Sequence, residues 1–343
     1  MPGAPETSEA DVATLYAPAG AASRSGAIDA LRVLAVAGIV AGHVWSGPLV
    51  DAGLYTWHVP AFFLLSGYLW KPRGPGSRRA VPAEARRRFA TIMVPYVAWL
   101  GLTLVLHLVM LDHRGQLTAD GVALPLVGGS ENAGPFGAYW FMPALFLSAV
   151  AYRALEAVPL AVRVAIIIGI TAVIHRFGDV LAPLPLSVGV AGAALVFMLA
   201  GQGLQHVRDR VRHPVRTGAV CLLAGTAPIL AGASEHLDIK YGELGTPALS
   251  IVVAVLISGG LLLILEGLFT RLPEGVHVGS TRLAVGCLMV VLTHTYVLWL
   301  LDIPDAERSA WVLVTALVVP WTVALVINRS ALSRPLLGMP RLR

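Results

Sequence analysis

The sequence predicts an all-α polytopic membrane protein, built as a single bundle of about ten transmembrane helices. Three observations lead to this class. The chain of 343 residues is 56% hydrophobic and only 13% charged, with a mean hydropathy of +0.74. In a soluble domain about a quarter of the residues are charged. Apolar runs of roughly 17 to 25 residues, each long enough to cross hydrocarbon, recur along the chain. Turn-forming stretches such as KPRGPG at 71–76 separate them.

The apolar runs define ten predicted spans. In chain order they are 27–46, 54–70, 90–111, 139–155, 161–176, 184–205, 217–233, 247–269, 283–301 and 310–328. They make one transmembrane domain over 27–328. Residues 1–26 are small and polar without the basic start of a signal peptide, which predicts a disordered cytoplasmic tail. Residues 329–343 predict a basic cytoplasmic tail.

The distribution of positive charge predicts the orientation. Of the 25 Lys and Arg residues, only Arg114, Arg176, Lys240 and Arg308 fall in loops that would lie outside, and Arg32 lies within the first span. The others belong to segments that the positive-inside rule places in the cytoplasm, together with both termini. The net charge of +5 is therefore topogenic, and the lipid bilayer rather than nucleic acid is the expected partner. The excess of Arg over Lys is typical of a GC-rich bacterium, so a bacterial plasma membrane is expected.

The first span, IDALRVLAVAGIVAGHV at 28–44, contains two ionisable residues. Arg32 and His43 are eleven positions apart, which places them about 20° apart around a helix and about 16 Å apart along it. Such residues inside a membrane face a partner, a cavity or a pathway. Each alone is compatible with a snorkelling Arg or a His satisfied by a neighbouring helix. As a pair on one face they indicate a lined cavity, and Asp29 stands one turn before Arg32.

Two further segments stand out, and neither decides a function alone. WHVPAFFLLSGYLW at 57–70 contains Ser66 and Gly67, which allow close approach of a ligand or of another helix. The next loop ends in Arg86, Arg87 and Arg88, whose guanidinium groups suit phosphate oxygens. Topogenic charge or contact with anionic lipid explains such arginines equally well.

Taken together, these segments resemble the acyltransferase-3 family, and within it the branch of fucose 4-O-acetylase-like enzymes. The resemblance rests on IDALRVLAVAGIVAGHV, WHVPAFFLLSGYLW, RRRFATIMVPYV and AYWFMPALF at 138–146, in order and on the matching spans. LTHTYVLW, with His294, is loosely similar to an aromatic-and-His span near the end of the family pattern. One position departs from it, because Thr91 stands where the family often has Arg or Lys before Pro95 and Tyr96.

The resemblance implies an acyl-CoA-dependent O-acyltransferase of the cell envelope that modifies carbohydrate. It would move an acyl group, usually acetyl from acetyl-CoA, to a hydroxyl of a glycan, glycolipid or glycosylated metabolite. The roles that it implies are carried by these residues: catalytic His43 and Arg32; Arg86, Arg87, Arg88, Ser66 and Gly67 at the acyl-CoA; Trp140 and Phe141 at the acceptor. His58 is added to the acceptor residues from its position alone, because it lies near the outer end of its span and would neighbour His43. No metal is expected.

The residues alone leave a second function open. A transporter or flippase of a glycan or lipid-linked intermediate would also place polar residues on a common face within a ten-span bundle. The basic residues at the inner mouth, together with a single His in the first span, favour a donor that carries phosphates. A transporter more often shows repeated halves with broken helices in corresponding positions.

Overall fold

The structure is a computed structural model that describes residues 25–73, 80–113, 115 and 118–341. Its α-helices of five or more residues are α1 Gly26–Val44, α2 His58–Tyr68, α3 Ala80–Arg88, α4 Val94–His113, α5 Ala119–Val127, α6 Phe141–Leu155, α7 Leu160–Leu181, α8 Ala194–Val207, α9 Pro214–Leu230, α10 Leu249–Phe269, α11 Glu274–Leu301, α12 Ala310–Ile327 and α13 Ser333–Leu337. A five-residue π-helix, Phe89–Met93, joins α3 to α4. The predicted disordered tail over 1–26 falls, up to residue 24, outside the described residues.

The all-α polytopic membrane fold is confirmed. Within the described chain, eight helical segments are long and apolar enough to cross a bilayer. Each of the ten predicted spans contains a helix, but α9 has 17 residues and α2 only 11, so the count of ten crossings stays a prediction. The peripheral helices α7 and α12 expose apolar side chains such as Val180 and Val326, as lipid-facing surfaces do.

Helix α1 lies at the centre of the bundle, packed against α2, α10, α11 and α12. Its apolar residues point in several directions, and Leu31, Ala35 and Val40 are fully buried. A helix that is apolar around most of its surface is expected in the interior. Arg32 and His43, which lie on this central helix, are therefore surrounded by protein.

Helix α2 is shorter than its predicted span because the backbone of Trp57 is not helical. At its other end it crosses α8 in very close contact. A Cβ added to Gly67 would lie 1.9 Å from the carbonyl oxygen of Met198, and one added to Gly201 would lie 2.0 Å from that of Leu64. These two glycines let the backbones touch, as small residues do in membrane helix pairs.

The segment assigned by the sequence to a basic tail is folded onto the bundle over its described part, residues 329–341. The indole nitrogen of Trp99 on α4 donates a hydrogen bond of 2.8 Å to the carbonyl of Leu336. Leu337 is buried, and Gly338 has a φ of +66° that suits glycine. The bundle therefore extends beyond residue 328.

Candidate active site

Three neighbouring cavities are lined by most of the ionisable residues that the sequence analysis singles out. The largest of the three has a volume of about 610 Å³ and lies around α3 and α6; it is called here the basic cavity. Its charged lining residues are Arg32, Lys71, Arg73, Arg87, Arg88 and Arg153, with Asp29 and Glu84. Six cations face two carboxylates, an excess of four positive charges over these described residues. Such a surface favours a polyanionic ligand.

Glu84 organises the arginines of the basic cavity. Its side chain is fully buried, and its carboxylate accepts hydrogen bonds from Arg87 at 2.5 Å, Arg88 at 2.9 Å and Arg153 at 3.2 Å. The Arg153 guanidinium also lies 4.2 Å from the ring centre of Trp70. One carboxylate shared by three guanidinium groups leaves donor capacity for a further anion.

Arg32 forms a salt bridge of 2.6 Å with Asp29, one turn earlier on α1. The Arg32 side chain stays partly exposed to the basic cavity, whereas Asp29 is buried. The second carboxylate oxygen of Asp29 has no hydrogen-bond partner among the described residues. Asp29 therefore orients Arg32 toward the cavity, as the spacing suggested.

The residues predicted to meet acyl-CoA do not all reach this cavity. Arg87, Arg88 and Ser66 line it, although the Ser66 hydroxyl donates to the carbonyl of Phe62. Arg86 is exposed and is not among the described lining residues. Gly67 packs against α8 instead. Thr91, at the departure from the family pattern, lines the cavity within the π-helix that joins α3 to α4.

The second cavity, about 290 Å³, is called here the histidine cavity because His43 and His58 line it. The side chain of His58 is buried, and its Nδ1 lies 2.5 Å from the carbonyl of Leu54. A carbonyl can only accept, so Nδ1 carries the hydrogen and Nε2 keeps a lone pair. Trp140 and Phe141 also line this cavity. His43, His58, Trp140 and Phe141 are thus brought together.

A third cavity, about 530 Å³, opens on the other side of His43 and is called here the tryptophan cavity after Trp45 and Trp299. Its polar lining includes Asp305 and Arg308. His43, which is half-buried, lines both this cavity and the histidine cavity. Its imidazole therefore stands at a junction that two ligands could reach.

The end of α1 is fixed where His43 stands. A helix leaves its last carbonyls without partners inside the helix. Here the Tyr55 hydroxyl donates to the carbonyl of Gly42 at 3.0 Å, and Arg308 donates to the carbonyl of His43 at 2.8 Å. Arg308 also pairs with Asp305 at 2.7 Å. These contacts hold the backbone that carries the imidazole.

The ring of a second histidine, His294, lies next to the ring of His43. The ring centres of His43 and His294, on α11, are 5.0 Å apart with an angle of 56° between the planes. His294 is fully buried, and its Nδ1 lies 2.9 Å from the carbonyl of Val290. Its Nε2 has no hydrogen-bond partner among the described residues.

The loop over 231–248 covers the histidine cavity with Asp238, Lys240 and Tyr241. The ammonium group of Lys240 donates to the carbonyl of Asn132 at 2.7 Å, which fastens this loop to the loop between α5 and α6. Burial raises the pKa of the Asp238 carboxyl to about 6 and lowers the pKa of Lys240. The cavity therefore has one carboxyl group that changes its charge close to neutral pH.

Sequence reasoning missed several residues of these sites. Glu84 precedes Arg87 and Arg88 by three and four positions, and this spacing alone predicts ion pairs on a helix. In the sequence, Arg153 and Arg308 stand out only as charges near the ends of spans. Their contacts join segments distant in sequence, and no local pattern indicates them. Among the described residues, no cluster of His, Cys, Asp or Glu could hold a metal ion.

Comparisons with known proteins fit this arrangement. Residues 25–327 match the family model described as an acyltransferase domain, that of the acyltransferase-3 family. The match runs from the start of α1 to the end of α12 and includes most of the residues that line the three cavities. Neither the curated proteins nor the solved structures give a significant match to the chain.

Proposed function

The chain belongs to the acyltransferase-3 family and is a membrane acyltransferase, and we propose that it moves an acyl group from acyl-CoA to a hydroxyl of a glycan, glycolipid or glycosylated metabolite. The observation that carries the proposal is the position of His43, which lines two cavities while a third, strongly basic cavity lies next to them. A donor and an acceptor need separate approaches to one catalytic group.

The basic cavity suits the nucleotide end of acyl-CoA, which is the anionic end. Arg87, Arg88 and Arg153 are held together by Glu84, and their free N–H groups can donate to phosphate oxygens. Arg32 stands deeper on α1, where the neutral pantetheine arm would pass. The positive-inside rule places this basic end in the cytoplasm, where acyl-CoA is made.

The histidine cavity suits the reacting acyl group. With about 290 Å³ shared between the thioester and part of the acceptor, it favours a short acyl chain such as acetyl over a fatty chain. Its lining combines the aromatic rings of Trp140 and Phe141 with two imidazoles, so it is both apolar and able to handle a proton.

The tryptophan cavity suits a sugar. Trp45 and Trp299 offer aromatic surface for the C–H faces of a pyranose. Asp305 offers acceptors for hydroxyl groups, and Arg308 offers the N–H groups that are not used on Ile303, His43 and Asp305. A sugar in this position would present a hydroxyl to His43. The cell envelope of a bacterium supplies glycans and glycolipids at such a membrane face.

In the reaction, His43 takes the proton of the acceptor hydroxyl as a general base. The hydroxyl oxygen forms a bond to the acyl carbon, the carbon–sulfur bond breaks, and the proton passes to the CoA sulfur. A two-step route through an acyl-histidine balances in the same way, with the acyl group first on a ring nitrogen of His43.

The test is CoA release by the detergent-purified protein supplied with acetyl-CoA, with and without a panel of nitrophenyl glycosides and crude envelope glycan as acceptors. The expected result is acceptor-dependent CoA release with an acetylated sugar detected by mass spectrometry. Folded protein that neither binds nor turns over acetyl-CoA contradicts the proposal. Counterflow of a glycan in proteoliposomes under those conditions would support a transporter instead.

A further inference from the structure

We propose that His294 is a positioning residue that accepts a hydrogen bond from the ring of His43 and so makes the opposite ring nitrogen of His43 the reactive one. This inference rests on the proposed function. It deepens that function by adding a histidine whose side chain lines none of the three cavities defined above.

The tautomer of His294 follows from its own contact. The carbonyl of Val290, one turn earlier on α11, lies 2.9 Å from Nδ1 and can only accept. The hydrogen is therefore on Nδ1, and Nε2 has a lone pair. That nitrogen is buried with no partner among the described residues, and an unpaired buried acceptor is costly. A donor is expected to reach it in the working enzyme.

His43 is the donor that the structure offers. The two ring centres are 5.0 Å apart, so the rings are in contact. His43 is half-buried and has room on its cavity sides to rotate, whereas His294 is fully buried. The other charged or titratable groups around His43 include His58 of α2, Asp238 and Lys240 of the covering loop, Tyr55, Asp305 and Arg308. Arg308 is occupied by backbone carbonyls and Asp305, and Lys240 by Asn132.

The chemical consequence is orientation of the base. One ring nitrogen of His43 donates its hydrogen to Nε2 of His294. The other ring nitrogen then carries the lone pair, and this lone pair points toward the cavities. When His43 gains the acceptor's proton, the same hydrogen bond becomes charge-assisted and stronger. Histidine bases are commonly oriented by a second group in this way. No proton needs to move onto His294.

Two variants of His294 separate positioning from packing. His294→Leu keeps the volume but removes the acceptor, and His294→Gln restores an acceptor oxygen. His206→Leu is the matched control, because the Nδ1 of His206 also contacts the carbonyl four residues earlier, that of Gln202, far from His43. All three are first checked for wild-type gel-filtration profiles.

Two readouts are measured. The first is kcat and KM for acetyl-CoA. The second, independent of turnover, is the rate at which diethyl pyrocarbonate modifies His43, followed by mass spectrometry of the intact chain's peptides. His294→Leu is expected to lower both kcat and the modification rate about tenfold or more at an unchanged KM, with His294→Gln recovering most of each and His206→Leu unchanged.

Wild-type kcat and wild-type modification of His43 in His294→Leu would overturn the inference, as would an equal loss in the Gln variant. If the wild-type protein turns over no acetyl-CoA but the modification rate follows the acceptor at position 294, the proposed function fails and the histidine pair stands.

Discussion

Phe141 and Val291 are the two described residues that line both the basic cavity and the histidine cavity. Phe141 is almost fully buried and meets the rings of Phe62 and Phe63 edge-on, at 5.4 Å and 5.6 Å between ring centres. These two side chains stand at the boundary between the site proposed for the nucleotide and the site proposed for the reaction, where the pantetheine arm of the donor would pass.

The position of Phe141 at this boundary predicts a role in keeping water away from the thioester. Phe141→Ala should widen the passage between the two cavities and raise CoA release in the absence of an acceptor, while the acceptor-dependent rate falls. The ratio of CoA released to acetylated sugar formed measures this uncoupling. Phe146→Ala is a control, because Phe146 lies on the same helix, packed against Phe89. Tight coupling in Phe141→Ala would show that the ring does not exclude water.

Arg87 and Arg86 are neighbours with different predicted roles. Arg87 lines the basic cavity and Arg86 does not, as far as the described residues show. Loss of a charge-assisted hydrogen bond to phosphate costs about tenfold or more in binding, so Arg87→Gln should raise KM for acetyl-CoA by that factor at similar kcat. Arg86→Gln should leave KM unchanged. Equal effects of the two substitutions would mean that net charge, not contact, attracts the donor.

Glu84 is predicted to stabilise the basic end of the bundle. Glu84→Gln would leave Arg153, which is 4% exposed, with Glu156 at 2.5 Å as its remaining carboxylate partner. Breaking a buried ion pair costs up to about 3–5 kcal/mol when the remaining charge is left unpaired, so the loss here should lie below that range, and thermal unfolding in detergent should still begin at a lower temperature. In Asp305→Asn the lost partner is 67% exposed, and the change should be about 1 kcal/mol or less. A smaller effect at Glu84 than at Asp305 would contradict this assignment.

Asp238 predicts a pH dependence of acceptor binding. Burial raises its pKa to about 6, so the carboxyl is neutral below that pH and ionised above it. The ionised form accepts hydrogen bonds from sugar hydroxyls better and pairs with the charge of Lys240. The acceptor KM should therefore fall as the pH rises from about 5 to about 8. Glu243 and His236 are further titratable side chains close to Asp238.

Asp238→Asn should remove this change in the acceptor KM. Asp209→Asn is the control and should retain the change, because Asp209 lies in the short segment Arg208–Arg210 between α8 and α9. A pH profile of the acceptor KM that is identical in wild type and Asp238→Asn would exclude the carboxyl as its source.

Local patterns were sufficient for the fold class and for part of the site. Hydropathy places a helix in every predicted span, since each run must bury its backbone in lipid or protein. The spacing of Arg32 and His43 puts both on the side of α1 that meets α11, where Arg32 lines a cavity with Cys287 and His43 contacts His294. That the two residues share a face follows from 3.6 residues per turn alone, whereas the helix that this face meets is set by the packing of the bundle.

Other parts of the site depend on contacts between distant segments. His294 and Arg308 meet His43 across about 250 residues of chain, and Glu84 meets Arg153 across 69. Helix propensity and hydropathy carry no information on such pairs. Gly67 is predicted from the sequence to lie at acyl-CoA, and in the structure it contacts the backbone of Met198. The sequence cannot tell whether a small residue makes room for a ligand or for another helix.

The measurement that tests the central claim most directly compares wild type with His43→Ala in CoA release from acetyl-CoA in the presence of an acceptor. A general base contributes about 10²–10⁴ in rate, so His43→Ala should lose activity by about that factor while it still binds acetyl-CoA through the basic cavity. Calorimetric binding of acetyl-CoA at wild-type affinity confirms that the variant is folded. Acceptor-dependent release at the wild-type rate in His43→Ala would contradict the placement of the reaction at this histidine.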